Sequence, residues 1–233
     1  SGMRRLLMNG AAAQLPEGYD VETHFGPSYG PWDQRLCVVP DGDLFAAIRS
    51  GRASVVTDRI ERFTPKGIRL ASGEEIVADV VVTATGLELL LIGGMTLDVD
   101  GTPVDPTRTV AYKGMMLTGV PSFAFAVGYT NASWTLKCDL VSRYVVRLLD
   151  HLQANGYDAV VPVEPPEPER LPLLDLSSGY VQRAAGSLPS QGVRAPWRLN
   201  QNYRQDLALL TRGPLDDGVR FLQAQRTTTE EQR

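Results

Sequence analysis

The chain has 233 residues, of which 43% are apolar and 21% are charged, and this is the composition of an ordinary globular protein. Its 27 acidic residues outnumber its 23 lysines and arginines, and no cluster of basic residues occurs, which argues against nucleic-acid binding as the main role. Cys37 and Cys138 are far apart and no CxxC motif occurs, so neither a disulfide framework nor a zinc or other metal site is expected. No apolar run approaches the roughly eighteen residues of a spanning helix, and a cytoplasmic location is expected, with peripheral membrane association left open.

The first part of the chain is predicted to contain short helices, an irregular segment and a β-meander. Residues 3–14 and 44–48 are predicted as helices, the second of which ends at Ser50-Gly51. Residues 19–40 combine glycines and prolines with aromatic residues, a composition typical of an irregular segment held by packed rings. Short β-type runs at 53–57, 60–63, 67–70 and 75–77 predict a small antiparallel meander.

Residues 79–87, Asp-Val-Val-Val-Thr-Ala-Thr-Gly-Leu, predict a parallel strand that is buried on both faces, because β-branched residues predominate in it. Ligands of open α/β sheets bind beyond the carboxyl ends of such strands, and the small residues of Thr83–Gly86 would let a dinucleotide pass closely over the turn. The alternative is a tight exit from a buried strand with no ligand at all.

The second half begins with a predicted hairpin at 99–102 and then repeats the pattern of strand, glycine and helix. Residues 120–129 predict a buried strand, and Thr130–Ser133 supply caps for a helix that runs to about Asn155-Gly156 and is predicted to be buried on both faces. The turn before a helix N-terminus is a site for an anion, such as a pyrophosphate or a flavin edge. Cys138 is expected to pack in the core.

The remainder of the chain is predicted to be less regular. Residues 161–172 carry five prolines and predict a linker, 175–207 predict an arm packed over a domain, and 227–233 are predicted to be disordered.

Several segments together resemble the flavin-containing monooxygenases, including their Baeyer–Villiger members. They are Pro-Trp-Asp-Gln-Arg-Leu-Cys at 31–37, Val-Pro-Asp-Gly-Asp-Leu-Phe at 39–45, Thr-Ala-Thr-Gly at 83–86, Tyr-Lys-Gly-Met at 112–115 and Gly-Tyr-Thr-Asn-Ala-Ser-Trp-Thr-Leu-Lys at 128–137. The likeness continues at 173–175, 179–183 and 194–197 and so covers nearly the whole chain.

The resemblance implies an α/β fold that comprises the C-terminal halves of two dinucleotide-binding domains, for FAD and NADPH, with the small antiparallel β-meander. Residues 1–86 would be the C-terminal part of the NADPH-binding region, and 87–157 the C-terminal part of the FAD-binding domain. Residues 158–233 would form a C-terminal arm with a disordered tail.

The resemblance also implies a reaction. Members of the family use NADPH, FAD and O2 to form a C4a-peroxyflavin that inserts one oxygen atom into a ketone or oxidises a thioether or thioamide. By position, Arg35 looks like the arginine that stabilises the developing negative charge beside the flavin. From the residues alone, Arg35 could instead pair with Asp33 or Asp41 on a surface loop.

Cofactor contacts follow from the same resemblance. The residues concerned are Asp33 and Gln34 towards NADPH, Thr83, Ala84, Thr85 and Gly86 between NADPH and FAD, and Gly128, Tyr129, Thr130, Asn131 and Ala132 along the flavin. Gln34 departs from Baeyer–Villiger relatives that carry lysine before the arginine, at the place where the 2′-phosphate of NADPH is contacted.

Neither a GxGxxG motif nor the FxGxxxHxxxW fingerprint of the family occurs in the chain, and both belong to the N-terminal half. The expectation is therefore a C-terminal half whose partner would be the missing N-terminal half. Three hypotheses remain open: a monooxygenase half completed by that partner, a catalytically silent remnant, and another flavin reductase, which the lack of a CxxC motif disfavours. The first predicts exposed apolar sheet edges in the isolated chain.

Overall fold

The computed structural model describes residues 2–31, 33–34, 39–174 and 176–223, and divides the chain into two compact units. Unit 1 is Ser1–Leu87 and unit 2 is Glu88–Arg233. Both mix helices with small antiparallel sheets, which agrees with an α/β chain at the coarse level. The predicted disordered tail at 227–233 lies outside the described residues.

Within the part of unit 1 that the structure describes, three α-helices are followed by a β-meander. The helices are α1 Gly2–Ala12, α2 Val21–Phe25 and α3 Asp43–Arg49, and the strands are β1 Ile60–Thr64, β2 Gly67–Leu70 and β3 Glu75–Val77. The strands pair antiparallel in the order β1-β2-β3. The two predicted helices and the three-stranded meander are confirmed, whereas residues 53–57 form no strand, and the N–H of Ala53 instead donates to Ala47 O at the end of α3.

Unit 1 buries little of its apolar surface. Among the described residues, only Leu15, Ile48 and Leu70 of unit 1 belong to the 22 buried apolar residues. Folding is driven mainly by removing apolar surface from water. Three buried apolar residues are few for a unit of about 85 residues, so unit 1 gains little stability from its core.

The prediction of a buried parallel strand at 79–87 is wrong for this chain. No strand is assigned to these described residues, and Val80, Val81 and Val82 are 78%, 38% and 85% exposed. The composition is that of a covered strand, but residues 80–86 form no backbone hydrogen bond with another described residue, and residues 79–87 are all exposed.

The described residues of unit 2 form three α-helices and four two-stranded antiparallel sheets. Its elements are β4 Asp98–Val99, β5 Thr102–Pro103, β6 Ala111–Tyr112, β7 Met116–Leu117, α4 Trp134–Asn155, β8 Ala159–Pro162, β9 Leu171–Pro172, α5 Gly179–Ala184, β10 Ser190–Gln191, α6 Tyr203–Arg212 and β11 Val219–Leu222. The pairs are β4-β5, β6-β7, β8-β11 and β9-β10. The predicted hairpin at 99–102 is confirmed.

Two predictions in unit 2 are corrected. The predicted strand at 120–129 is absent, although partly covered and exposed residues alternate from 121 to 127 as on a chain with one face inward. The segment predicted as a linker at 161–172 includes the end of β8 and all of β9. Val160 and Val161 of β8 are buried, and β8 pairs with β11, whereas β9 pairs with β10.

The core of unit 2 lies between α4, α6 and the β6-β7 hairpin. From α4 it takes Leu140, Val141, Tyr144 and Leu148, and later segments add Trp197 and Leu210. The prediction that both faces of α4 are buried is wrong, since Val146 and Leu149 are 56% and 58% exposed. Cys138, predicted to pack in the core, is only partly buried and is not among the described residues of this core. No helix in the described ranges is both long and apolar enough to cross a bilayer.

Candidate functional site

The loop Gly128–Ala132 leads directly into α4 in unit 2, and its shape depends on Gly128. A Cβ atom on Gly128 would lie 2.2 Å from Cγ and Cδ2 of Trp134, in the first turn of α4. Only glycine fits there, because the indole occupies the space that a side chain would need. The glycine is therefore explained by packing inside the loop.

Gln201 fixes two neighbouring residues of this loop. Its Oε1 accepts hydrogen bonds from Thr130 N at 3.0 Å and from Thr130 Oγ1 at 3.2 Å, and its backbone carbonyl accepts from Asn131 Nδ2 at 3.1 Å. Gln201 has a φ of 49°, in the left-handed region that non-glycine residues seldom adopt. The loop is thus held by a residue about seventy positions further along the chain.

A buried carboxylate joins the loop to both long helices of unit 2. Asp206 Oδ2 accepts from Tyr129 OH at 2.7 Å and from Lys137 Nζ at 2.9 Å, and Asp206 Oδ1 accepts from Asn200 Nδ2 at 3.3 Å. Asp206 is 2% exposed and Lys137 is 6% exposed. Burial, and then the hydrogen bond to Asp206, raise the pKa of Tyr129 above its ordinary value. The phenol therefore stays protonated and donates to Asp206.

The surface in front of the loop is open, whereas the space behind it is closed. The crevice between Gly128, Leu199 and Asp206 holds about 10 Å³, which suits about one water molecule and is far too small for a flavin. Residues 131–136 are exposed. A ligand of this loop would therefore lie across the surface at the start of α4.

The start of α4 fits an electron-rich group. Among the described residues, the Ser133 hydroxyl makes no capping bond to the helix and instead lies 3.0 Å from Thr135 Oγ1. The first N–H groups of a 22-residue helix are left for an external acceptor, and the helix dipole adds to their positive potential. These residues fit one edge of FAD and supply no grip for its ADP portion.

The remaining predicted cofactor residues belong to unit 1. Thr83, Ala84, Thr85 and Gly86 are exposed and lie outside any helix or strand, and Gly86 has a φ of 122°. Such a backbone angle requires glycine.

Asp33 closes a tight turn before the predicted catalytic residue. Asp33 Oδ2 accepts from Gly30 N at 2.8 Å, and Asp33 N donates to Gly30 O at 3.2 Å. Gln34 follows and forms an isolated bridge with Pro31. Arg35 lies outside the described residues, and the structure therefore does not test its predicted role.

Lys137, Gln201 and Asp206 are site residues that the sequence analysis missed. Lys137 shares a helical face with Leu140, Val141 and Tyr144, and a lysine on a buried face needs a carboxylate partner. That spacing could have identified Lys137. No local pattern marks Asp206 as the partner of Lys137 or Gln201 as the partner of Thr130.

A second ion pair joins the buried Lys113 of the Tyr112–Met115 motif to the partly buried Asp217. Lys113 Nζ donates to Asp217 Oδ1 at 2.7 Å and to Pro214 O at 2.8 Å, and it lies 4.7 Å from the centre of the Tyr144 ring. Burial lowers the pKa of Lys113, and the Asp217 carboxylate opposes that shift. This lysine anchors residues 214–217 to the core.

Two tyrosines complete that cluster. Tyr112 OH donates to Asp217 Oδ1 at 3.0 Å and lies 3.1 Å from Tyr144 OH. Burial is the main cause that raises the pKa of Tyr144 to about 12 and that of Tyr112 well above its ordinary value.

Comparison with known proteins places the chain in a family. It is 59% identical to the FAD-containing monooxygenase EthA of Mycobacterium tuberculosis over 94% of this chain and 45% of that protein. It is 53% identical to EthA of Mycolicibacterium smegmatis over 92% of this chain and 44% of that protein. It is 46% identical to the probable FAD-binding monooxygenase AlmA of Acinetobacter baylyi over 98% of this chain and 46% of that protein.

The chain therefore belongs to the family of FAD-containing monooxygenases. It spans slightly under half the length of the curated relatives that it matches. No protein-family model matches the chain.

Proposed function

We propose that the chain is the C-terminal part of an FAD- and NADPH-dependent monooxygenase that transfers one oxygen atom from O2 to a ketone or to a thioether or thioamide sulfur. The observation that carries the proposal is the 59% identity, over 94% of the chain, to a protein named as an FAD-containing monooxygenase. The Baeyer–Villiger type of chemistry and the use of NADPH come from the motifs around Arg35 and Thr83–Gly86.

Bound FAD would supply the activation of O2 in this reaction. The loop Gly128–Ala132 and the first N–H groups of α4 would hold one electron-rich edge of the cofactor. Gln201 and Asp206 would keep that loop in position before the cofactor arrives, since both are already engaged with it.

Arg35 would act on the reacting oxygen and carbonyl atoms. A guanidinium carries a permanent charge and two parallel donors, and it stabilises negative charge that develops within hydrogen-bond reach. Asp33 and Gln34 would border NADPH, and Thr83–Gly86 would lie between the two cofactors. In this proposal residues 1–86, 87–157 and 158–233 are the NADPH part, the FAD part and the C-terminal arm.

The alternative is a catalytically silent remnant or a split-enzyme subunit that cannot bind FAD alone. It is favoured by the lack of GxGxxG in the 233 residues and by the small core of the described part of unit 1. In this family the missing motif belongs to the part that holds the ADP portion of FAD.

A flavin titration tests the proposal. We expect the chain alone to bind FAD weakly or not at all by absorbance and fluorescence. When the part of the M. tuberculosis relative outside the alignment is added as a separate chain, we expect FAD binding and NADPH oxidation that depends on a thioether or ketone.

Substitutions of two arginines test the catalytic role proposed for Arg35. Arg35→Ala is expected to abolish substrate oxidation in the mixture while FAD still binds, whereas Arg62→Ala, at an exposed arginine of β1, is expected to have no effect. Tight FAD binding and turnover by the chain alone would show that no complement is needed. No FAD binding in either case would contradict the proposal and favour the silent remnant.

A further inference from the structure

The dipeptide Asn-Gly occurs twice in the chain, at Asn9-Gly10 and at Asn155-Gly156. This dipeptide is chemically labile, because glycine has no side chain to hinder its own backbone nitrogen from attacking the side chain of the asparagine. Both asparagines are exposed, and each lies in a helix. The reacting groups are the same at both sites, so the surrounding structure decides which site reacts.

The structure holds Asn155 firmly at the end of α4. Its Nδ2 donates to His151 O at 2.8 Å, and Tyr157 N, just after the dipeptide, donates to Leu152 O at 3.0 Å. The Tyr157 ring stacks on Phe221, with the two ring centroids 4.9 Å apart. Ring closure at Asn155 therefore requires the end of α4 to open against these contacts.

Asn9 has no comparable restraint. α1 is an 11-residue helix in which no residue is buried, and a helix of this length is marginal without tertiary packing. Gly10, inside the helix, weakens it further. The Asn9 side chain forms no hydrogen bond with another described residue, and a Cβ atom on Gly10 would meet nothing within 4 Å apart from the helix backbone. Opening of α1 at Asn9 is therefore easy and leaves room for its side chain to turn.

We propose that Asn9 is a site of spontaneous deamidation. The Gly10 nitrogen loses its proton and bonds to Asn9 Cγ, while the bond from Cγ to Nδ2 breaks and the side-chain nitrogen leaves as ammonia with that proton. Water then opens the five-membered imide on either side of the ring nitrogen. One product is aspartate, and the other is isoaspartate, in which the backbone runs through the former side-chain carbon. Water is the only co-reactant.

The modification acts on α1 itself. Both products add a negative charge in the last turn of α1, where the helix dipole disfavours it. Isoaspartate also adds one carbon atom to the backbone, which disrupts the helical pattern of hydrogen bonds around the one from Ala13 N to Asn9 O, at 3.0 Å. Opening of α1 thus leads to a product that keeps the helix open.

Peptide mapping of the whole chain tests the proposal. The chain is incubated in mildly alkaline buffer made with water that carries a heavy oxygen isotope, and the label in each tryptic peptide is measured by mass spectrometry. We expect Asn9 to react about tenfold faster than Asn155 in the folded chain, because local opening governs access. In urea, where neither helix is formed, the two rates should be similar. Methylation by a protein isoaspartate methyltransferase identifies the isoaspartate product.

Two variants in α1 separate helix opening from the chemistry of the dipeptide. Ala12→Gly leaves the dipeptide unchanged but weakens the helix, and it should speed the reaction of Asn9 about threefold or more. Gly10→Ala strengthens the helix and places a methyl group beside the attacking nitrogen, so it should nearly abolish the reaction. Gly186→Ala, in unit 2, is the matched control. A Cβ atom there also has open space, and neither rate should change.

Equal rates at Asn9 and Asn155 in the folded chain would overturn the proposal, as would a faster reaction at Asn155. The same rate in Ala12→Gly and in the parent chain would also overturn it, because opening of α1 would then not limit the reaction. If Asn9 acquired no label in the folded chain over a period in which both sites react in urea, α1 would protect its asparagine and the proposal would be wrong.

Discussion

At the scale of single residues, the buried pair of Lys137 and Asp206 controls the stability of the candidate site. Asp206→Ala leaves the Lys137 ammonium, which is 6% exposed, without its counter-charge. We expect the free energy of unfolding of unit 2 to fall by about 3 kcal/mol, because an unpaired buried charge is costly. Urea unfolding followed by circular dichroism measures this change.

An exposed pair on the same helix provides the control. Arg143 Nε and Asp139 Oδ2 are 3.0 Å apart, but both side chains are more than half exposed. Asp139→Ala should change the free energy of unfolding by no more than about 0.5 kcal/mol. Similar losses for Asp206→Ala and Asp139→Ala would show that the buried pair has no special role.

Tyr144 predicts how stability depends on alkaline pH. Its pKa is raised from 10.0 to about 12, mainly by burial. Between these two values the unfolded chain has released the proton and the folded chain has kept it, so stability decreases as pH rises by about 1.4 kcal/mol per pH unit. In Tyr144→Phe this contribution is absent, and the free energy of unfolding should fall less steeply.

Urea unfolding at several pH values across that window measures the two slopes. Tyr203→Phe, at an exposed tyrosine of α6, controls for the loss of a hydroxyl group. The same slope in Tyr144→Phe and in the parent chain would contradict the prediction.

At the scale of elements, Arg147 of α4 joins this helix to carbonyl groups at the C-terminal end of α6. Arg147 donates to Leu210 O at 2.7 Å and to Gly213 O at 2.9 Å. Both bonds are charge-assisted and satisfy carbonyls at the end of a helix, where the dipole also favours a cation. Arg147→Met should therefore lower the free energy of unfolding by about 2 kcal/mol and speed amide exchange in α6.

Arg143 lies one turn earlier on α4 and serves as the matched position. It is exposed, and Arg143→Met should change stability by no more than about 0.5 kcal/mol. Equal effects of the two substitutions in thermal unfolding would mean that the contact with α6 contributes nothing.

Elements with local signals were predictable from the sequence. The apolar spacing of α4 and the glycine at its end identify this helix, and Gly156 indeed ends it with a φ of 68°. The composition of residues 79–87 and 120–129 predicts burial and strand structure, but it cannot say whether the covering layers belong to the same chain. The predicted strands at 79–87 and 120–129 are therefore wrong for this chain.

The candidate site was predictable to a similar extent. The loop Gly128–Ala132 and the N-terminus of α4 follow from the order of glycine, capping residues and helix. Gln201 and Asp206 do not, because their contacts with Thr130 and Tyr129 span about seventy residues of sequence.

At the scale of the whole molecule, the two units differ in how much core they contain. Nineteen of the 22 buried apolar residues in the described part of the chain lie in unit 2. We expect unit 1 to unfold at a lower urea concentration than unit 2, with fast amide exchange at residues 80–86 in native buffer. Hydrogen exchange with mass spectrometry, repeated at increasing urea concentration, resolves the units by peptide.

The part of the M. tuberculosis relative outside the alignment, added as a separate chain, should change this exchange pattern. When it is bound, amide exchange in unit 1 should slow because binding to the folded state stabilises it. If both units of the free chain lost their amide protection at the same urea concentration, the prediction that unit 1 unfolds first would be wrong.

The pairing of β8 with β11 also has a consequence for synthesis on the ribosome. Pro162 and Ala159 of β8 lie opposite Val219 and Leu222, and β11 is the most C-terminal element of the described residues. Because translation proceeds from the N-terminus, α4 and β8 leave the ribosome well before the strand that completes their sheet. The nascent chain therefore carries an unpaired apolar strand until residues 219–222 emerge, and a ribosome that stalls before Val219 would release a product prone to aggregation.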